Sequence, residues 1–110
     1  MFAVLVLSVQ WLQITNGQAG GFRLRESSKK HTVTITWRAS ISPVVGYNLY
    51  RSVTPGINYV KINTVPIQGV TFTDSTVENG VTYYYVARAV DPRGVESANS
   101  KETSAAIPQK

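Results

Sequence analysis

At 110 residues, with a formal net charge of +5 and no cysteine, the chain has room for one domain and none for a disulfide framework, thiol chemistry or a cysteine-ligated metal. A composition of 43% hydrophobic and 15% charged residues is that of a globular chain, not a disordered one. The basic residues are scattered, and the single cluster, residues 23–30, is interrupted by Glu26. Such a distribution keeps a surface soluble without drawing a stripe for phosphates, so no nucleic-acid partner is expected.

Residues 1–12 are almost wholly apolar, yet too short for a membrane-spanning helix, which needs about 20 apolar residues. The run leads into a polar stretch and a small-x-small site, Gly17-Gln18-Ala19, and so predicts a secretory signal remnant over residues 1–19 that lacks the usual charged start. The alternative is an extra N-terminal strand. Residues 20–30 read as linker, with Gly20-Gly21 and Ser27-Ser28-Lys29-Lys30 flanking a short first strand over 22–25.

From residue 31 the period is two. Val33, Ile35 and Trp37 alternate with threonines, predicting a half-buried strand over 31–38. A second strand over 44–51 places Val45, Tyr47 and Leu49 on one face and Gly46, Asn48 and Tyr50 on the other. Pro55-Gly56 turns the chain into a short strand over 58–63, and Pro66 and Gly69 bracket the turn before a strand over 70–74 with Phe72 inward. The longest strand follows Asn79-Gly80: Tyr83, Tyr85, Ala87 and Ala89 face one way, and Tyr84, Val86, Arg88 and Val90 the other. It stops at Asp91-Pro92-Arg93-Gly94, after which residues 94–107 supply a polar edge strand. Strands at about ten-residue spacing, with no sustained helical period, predict an all-β, seven-stranded antiparallel β-sandwich of immunoglobulin-like type.

Residues 31–108 resemble a fibronectin type III domain. The resemblance rests on Trp37 at the end of the second strand, on Gly46-Tyr47-Asn48-Leu49-Tyr50-Arg51, and on Phe72-Thr73-Asp74 followed by Gly80-Val81-Thr82-Tyr83. Ala89-Val90-Asp91, Gly94, Glu96-Ser97 and Ser100 complete it, while the first strand departs from the family pattern in being poorly marked, with Phe22 and Leu24 to serve as its alternating apolar pair. The resemblance implies strands A, B and E on one sheet and C, C′, F and G on the other. It implies that Trp37 fills the core, with Tyr47, Leu49 and Phe72 around it, and that Tyr83 is a corner residue whose hydroxyl bonds the backbone of the preceding connection. Residues 109–110 read as a tail, the start of a tether.

Catalytic, cofactor-binding and metal residues are not expected. His31 is the sole histidine, no serine stands in a Gly-x-Ser-x-Gly elbow, and the carboxylates lack calcium-loop spacing. Asp74 and Asp91 adjoin turns, where such side chains bond nearby backbone N–H groups. Arg93-Gly94 lies where some family members carry an Arg-Gly-Asp tripeptide, but Val95 follows it, so a tight turn is the expected role. A candidate partner face remains: Tyr50, Tyr84, Val86 and Arg88 should project from one sheet, an amphipathic surface of the kind enriched at binding hot spots. Together these residues and the resemblance imply a non-catalytic module of a larger multidomain bacterial protein, secreted or at the cell surface, acting as a spacer or in contact with a protein or polysaccharide partner. A stand-alone secreted binding protein using the Tyr50/Tyr84/Arg88 face is the alternative.

Overall fold

The computed structural model describes residues 7–14 and 30–109. Seven strands, β1 (Leu7–Ile14), β2 (Lys30–Trp37), β3 (Gly46–Ser52), β4 (Val60–Lys61), β5 (Thr71–Asp74), β6 (Thr82–Val90) and β7 (Thr103–Ala106), form two antiparallel sheets. One has the order β1-β2-β5 and the other β4-β3-β6-β7. This is the expected sandwich, with the expected division of strands between its layers.

The alternation of β2 decides one wall of the core. Val33, Ile35 and Trp37 are buried. On the opposite face, the Thr34 and Thr73 hydroxyls lie 3.0 Å apart and those of Thr36 and Thr71 3.4 Å apart, cross-strand pairs that tie β2 to β5. The other wall alternates by size. Tyr47 lies opposite Ala89, and Leu49 opposite Ala87, so large and small residues meet across the β3–β6 ladder. The Trp37 and Tyr47 rings pack edge-on with centroids 5.5 Å apart. Phe72 is half-buried against this cluster.

Gly46 marks a close approach. A Cβ there would stand 2.6 Å from Pro66 Cβ and 2.9 Å from Ile67 O, because Tyr47 and Ile67 exchange backbone hydrogen bonds of 3.0 and 2.8 Å. The corner ahead of β6 is built as the resemblance implied: the Glu78 backbone N–H donates to the Tyr83 hydroxyl at 2.9 Å, while the Tyr83 ring is buried.

Several boundaries differ from the sequence reading. β3 begins at Gly46, leaving Val45 partly exposed. β4 is only two residues long, because Asn58 adopts a left-handed φ of 61° that interrupts the pleat. The strand expected over 94–107 is regular only at its end, as β7. Upstream of it, the Ser97 and Ser100 hydroxyls accept the N–H groups of Ala89 and Ala87, taking the place of strand carbonyls.

At the N-terminus, β1 pairs with β2 over its full length, with Leu7, Val9 and Trp11 opposite Trp37, Ile35 and Val33. The first position in this sheet therefore belongs to residues 7–14, the extra N-terminal strand of the sequence analysis, and the sandwich begins upstream of residue 31. Physically, an apolar run of this length suits a half-buried strand as well as the hydrophobic region of a leader. The short strand expected over 22–25 lies outside the described residues.

The chain after β7 is seated, not free through Pro108: Gly80 N–H donates to both Ile107 O and Pro108 O at 3.0 Å.

Trp37→Ala should cost about 3–5 kcal/mol in a urea titration, the loss for a buried aromatic ring. Tyr83→Phe, which keeps the ring and deletes the corner hydrogen bond, should cost only about 1 kcal/mol. Equal losses would contradict the division between packing and corner.

Candidate functional site

Two polar constellations stand on β3 and β6, on opposite faces of the four-stranded sheet. The inner one is centred on Asp74, which is 3% exposed. Its Oδ2 accepts from Arg51 Nη1 at 2.9 Å and from the Tyr85 hydroxyl at 2.8 Å. Its Oδ1 accepts from Thr76 N–H at 3.0 Å and from the Thr76 hydroxyl at 2.7 Å. The turn-capping bond foreseen for Asp74 is thus present, and to it the fold adds an ion pair between the sheets. Burial pushes the Asp74 carboxyl up, but the hydrogen bonds from Thr76, Tyr85 and Arg51 outweigh it and hold the group below the usual carboxylate range. Burial and the bond to Asp74 both push the Tyr85 hydroxyl up, so it stays a donor. Sequence reasoning counted Arg51 among scattered surface charges. Its phase was the available signal, since Arg51 follows Tyr47 and Leu49 at steps of two.

The outer constellation contains the candidate partner residues. Glu96 organises it: Oε2 accepts from Asn48 Nδ2 at 2.6 Å and from the Tyr50 hydroxyl at 2.7 Å, and Oε1 accepts from Arg88 Nη1 at 3.0 Å. Arg88 Nε donates to Asn99 Oδ1 at 2.7 Å, and the guanidinium carbon lies 5.1 Å from the Tyr50 ring centroid. Burial pushes the Glu96 carboxyl up, and the bonds from Tyr50, Asn48 and Arg88 more than reverse this, leaving it lowered. The Tyr50 hydroxyl is raised by burial and by its bond to Glu96.

A second carboxylate, Glu102, takes the Gly56 N–H at 2.9 Å and the Tyr59 hydroxyl. It stands just before β7 and alternates with inward-facing Thr103, so these bonds clasp the turn between β3 and β4 across the outer side of β6. Tyr84 lies beside this clasp, paired in register with Ser52 and Ser104, and is half-buried.

The structure therefore brings Tyr50, Tyr84 and Arg88 onto one face. Val86 shares that face but is 1% exposed, covered by its neighbours, and offers no surface of its own. Asn48, Tyr59, Glu96 and Glu102 are members that sequence reasoning missed. For Asn48 the strand phase was a signal, whereas Tyr59 lies just outside β4 and the two glutamates sit in the irregular stretch before β7, where no period applies.

No family profile matches the chain. A solved Fn3-like protein from Clostridium thermocellum is 39% identical, with a TM-score of 0.63 over 70% of this chain and 77% of that one. The chain belongs to the fibronectin type III family. Longer proteins carry similar segments. An amylopullulanase of Thermoanaerobacter thermohydrosulfuricus is 40% identical over 82 residues, 74% of this chain and 5% of that protein. Another, of Thermoanaerobacterium thermosulfurigenes, is 33% identical over 105 residues, 96% of this chain and 6% of that protein, so the likeness extends through β1. A pectate lyase from Erwinia chrysanthemi shares the fold over 93% of the chain, with a TM-score of 0.66 at 17% identity. The fibronectin type III chain thus spans about one-twentieth of the amylopullulanases it resembles.

The lowered Asp74 carboxyl makes the fold acid-sensitive in a defined sense. Its contribution is complete above the ordinary aspartate value of about 3.9 and is lost as pH falls through the lower folded-state value. On acidification, the melting temperature of the parent should drop more steeply than that of Asp74→Asn, which should itself melt lower at neutral pH. Asp91 and Glu96 are also lowered but are common to both proteins, so the difference isolates Asp74. Parallel acid slopes would remove the carboxylate from this role.

Proposed function

We propose that this chain is a non-catalytic fibronectin type III module that acts as a spacer or interaction domain within a larger polysaccharide-active protein exported from the cell. The observation that carries the reading is the ratio of lengths: similar segments occupy 5–6% of amylopullulanases. The chemistry of four of the five described carboxylates supports it. Asp74, Asp91, Glu96 and Glu102 are each committed to hydrogen bonds within the module, which suits structural and recognition roles better than acid–base work.

The contact surface of the module is the outer face of its four-stranded sheet. Glu96 fixes the Tyr50 ring and the Arg88 guanidinium in place, so little side-chain entropy remains to be lost when a partner arrives. Tyr84 supplies the half-exposed aromatic surface beside them, suited to stacking on a sugar ring or a flat protein patch.

An antibody raised against residues 30–109, applied to cell and medium fractions, tests the modular reading. A band far larger than the chain, outside the cytoplasm, is the expected result. A species the size of the chain alone, free in the medium, would favour the stand-alone binding protein. Tyr84→Ala should leave the melting temperature nearly unchanged while removing retardation of the module in gels containing soluble starch or pullulan. Identical migration of parent and variant would discard Tyr84 as a polysaccharide contact.

A further inference from the structure

Asn79-Gly80, the turn that leads into β6, is the one Asn-Gly dipeptide among the described residues. Asparagine is intrinsically labile, and glycine carries no side chain to shield its backbone nitrogen from the preceding carboxamide. In the reaction, the Gly80 nitrogen gives up its proton and bonds to Asn79 Cγ. The bond from Cγ to the carboxamide nitrogen breaks, and that nitrogen leaves as ammonia. Water then opens the resulting cyclic imide at either carbonyl, yielding aspartate or isoaspartate. Water is the one co-reactant, and no oxidant or reductant takes part.

The structure guards the nucleophile from one direction. Gly80 N–H donates to Ile107 O and Pro108 O, both at 3.0 Å, so loss of its proton would set the nitrogen against two carbonyl oxygens. Its approach to Asn79 Cγ requires both bonds to break. A Cβ on Gly80 would lie 2.7 Å from Gln109 Nε2, so the Gln109 side chain fills the space that glycine leaves open. The backbone is held at φ 81°, and Ile107 anchors the arrangement through a buried side chain and an N–H bond to Val81 O at 2.9 Å. The two carbonyls bonded to the Gly80 nitrogen and the side chain packed against its Cα thus come from residues 107–109.

We propose that Asn79 is a deamidation site gated by the seating of residues 107–109 on the corner before β6. While the segment is seated the site is closed, and when it lifts the imide forms. The product places a new negative charge beside Glu78, whose backbone N–H holds the Tyr83 hydroxyl, and the isoaspartate form also adds a methylene to the main chain. Modification thus acts on the corner that orders β6.

Peptide mapping by mass spectrometry, after timed incubation of the full chain in mildly alkaline buffer, measures the conversion directly. The folded parent should deamidate about tenfold or more slowly than the chain unfolded in urea, as expected for a site reached only by local opening. Ile107→Ala should deamidate several-fold faster than Phe72→Ala, a core change on another strand, when urea is adjusted so that both have equal stability. Equal rates in these two variants would show that global unfolding, not the seat, controls the reaction. A folded parent as fast as the unfolded chain would show that the seat does not protect. Should Ile107→Ala not fold, Gln109→Ala takes its place, since Gln109 is exposed: faster conversion at an unchanged melting temperature is expected, and an unchanged rate would overturn the proposal.

Discussion

The charge on Asp74 is the constraint on which the architecture depends. A carboxylate taken out of water costs several kcal/mol unless hydrogen bonds and an opposite charge satisfy it. Here the carboxylate stands on β5, in one sheet, and its partners Arg51 and Tyr85 stand on β3 and β6, in the other. The separation and phase of the two sheets at this end are therefore tied to a geometry with little slack. A slip of one residue in β3 or β6 would swing Arg51 or Tyr85 to the outer face and leave Asp74 buried without its cation or its phenol. Arg51 also lies 4.7 Å over the Tyr83 ring, so the same guanidinium braces the residue that makes the corner.

Without cysteine, the connections between sheets are held by tyrosines. Each inward tyrosine packs an apolar ring in the core and ends in a hydroxyl at its rim. Tyr47 accepts the Ser40 N–H at 2.7 Å, Tyr83 accepts the Glu78 N–H, and Tyr85 donates to Asp74. The loop before β3 and the connection from β5 to β6 are thereby fixed to core side chains. One residue type supplies buried area and loop anchorage together, the combination that a phenol allows and a phenylalanine does not.

How much of this was readable in the sequence follows from what period-two alternation can express. Period two put Trp37, Tyr47, Leu49 and Tyr83 on shared faces with their neighbours, the resemblance implied that these faces are inward, and each of the four is buried. The candidate face was readable for the same reason, apart from the burial of Val86, which depends on neighbouring strands and not on its own. The Asp74–Arg51 pair was not recognised, because Asp74 beside a turn is fully explained by its bond to Thr76 and nothing local asks for a second partner. Residues 7–14 show a different limit. Apolar character alone serves a leader and a strand equally, and the pairing of these residues with β2 is a long-range property that no local pattern states. The clasp from Glu102 to Gly56 and Tyr59 joins residues more than forty positions apart in sequence, across an intervening strand, and no short-range pattern encodes it.

The two polar constellations divide the work of the four-stranded sheet. Inside, Asp74 is satisfied by Arg51, Tyr85 and Thr76, so its geometry specifies which sandwich forms. Outside, Glu96 and Glu102 hold tyrosine hydroxyls at the surface, which orients the rings without burying them completely. An aromatic surface left to itself would be a liability for a protein in water, whereas one held by carboxylates stays solvated and keeps its shape. At the end of β7, the seating of residues 107–109 on Gly80 fixes the direction in which the chain leaves the sandwich. A glycine, a buried isoleucine and a tyrosine corner meet at this one place, so the turn before β6 and the end of β7 hold each other.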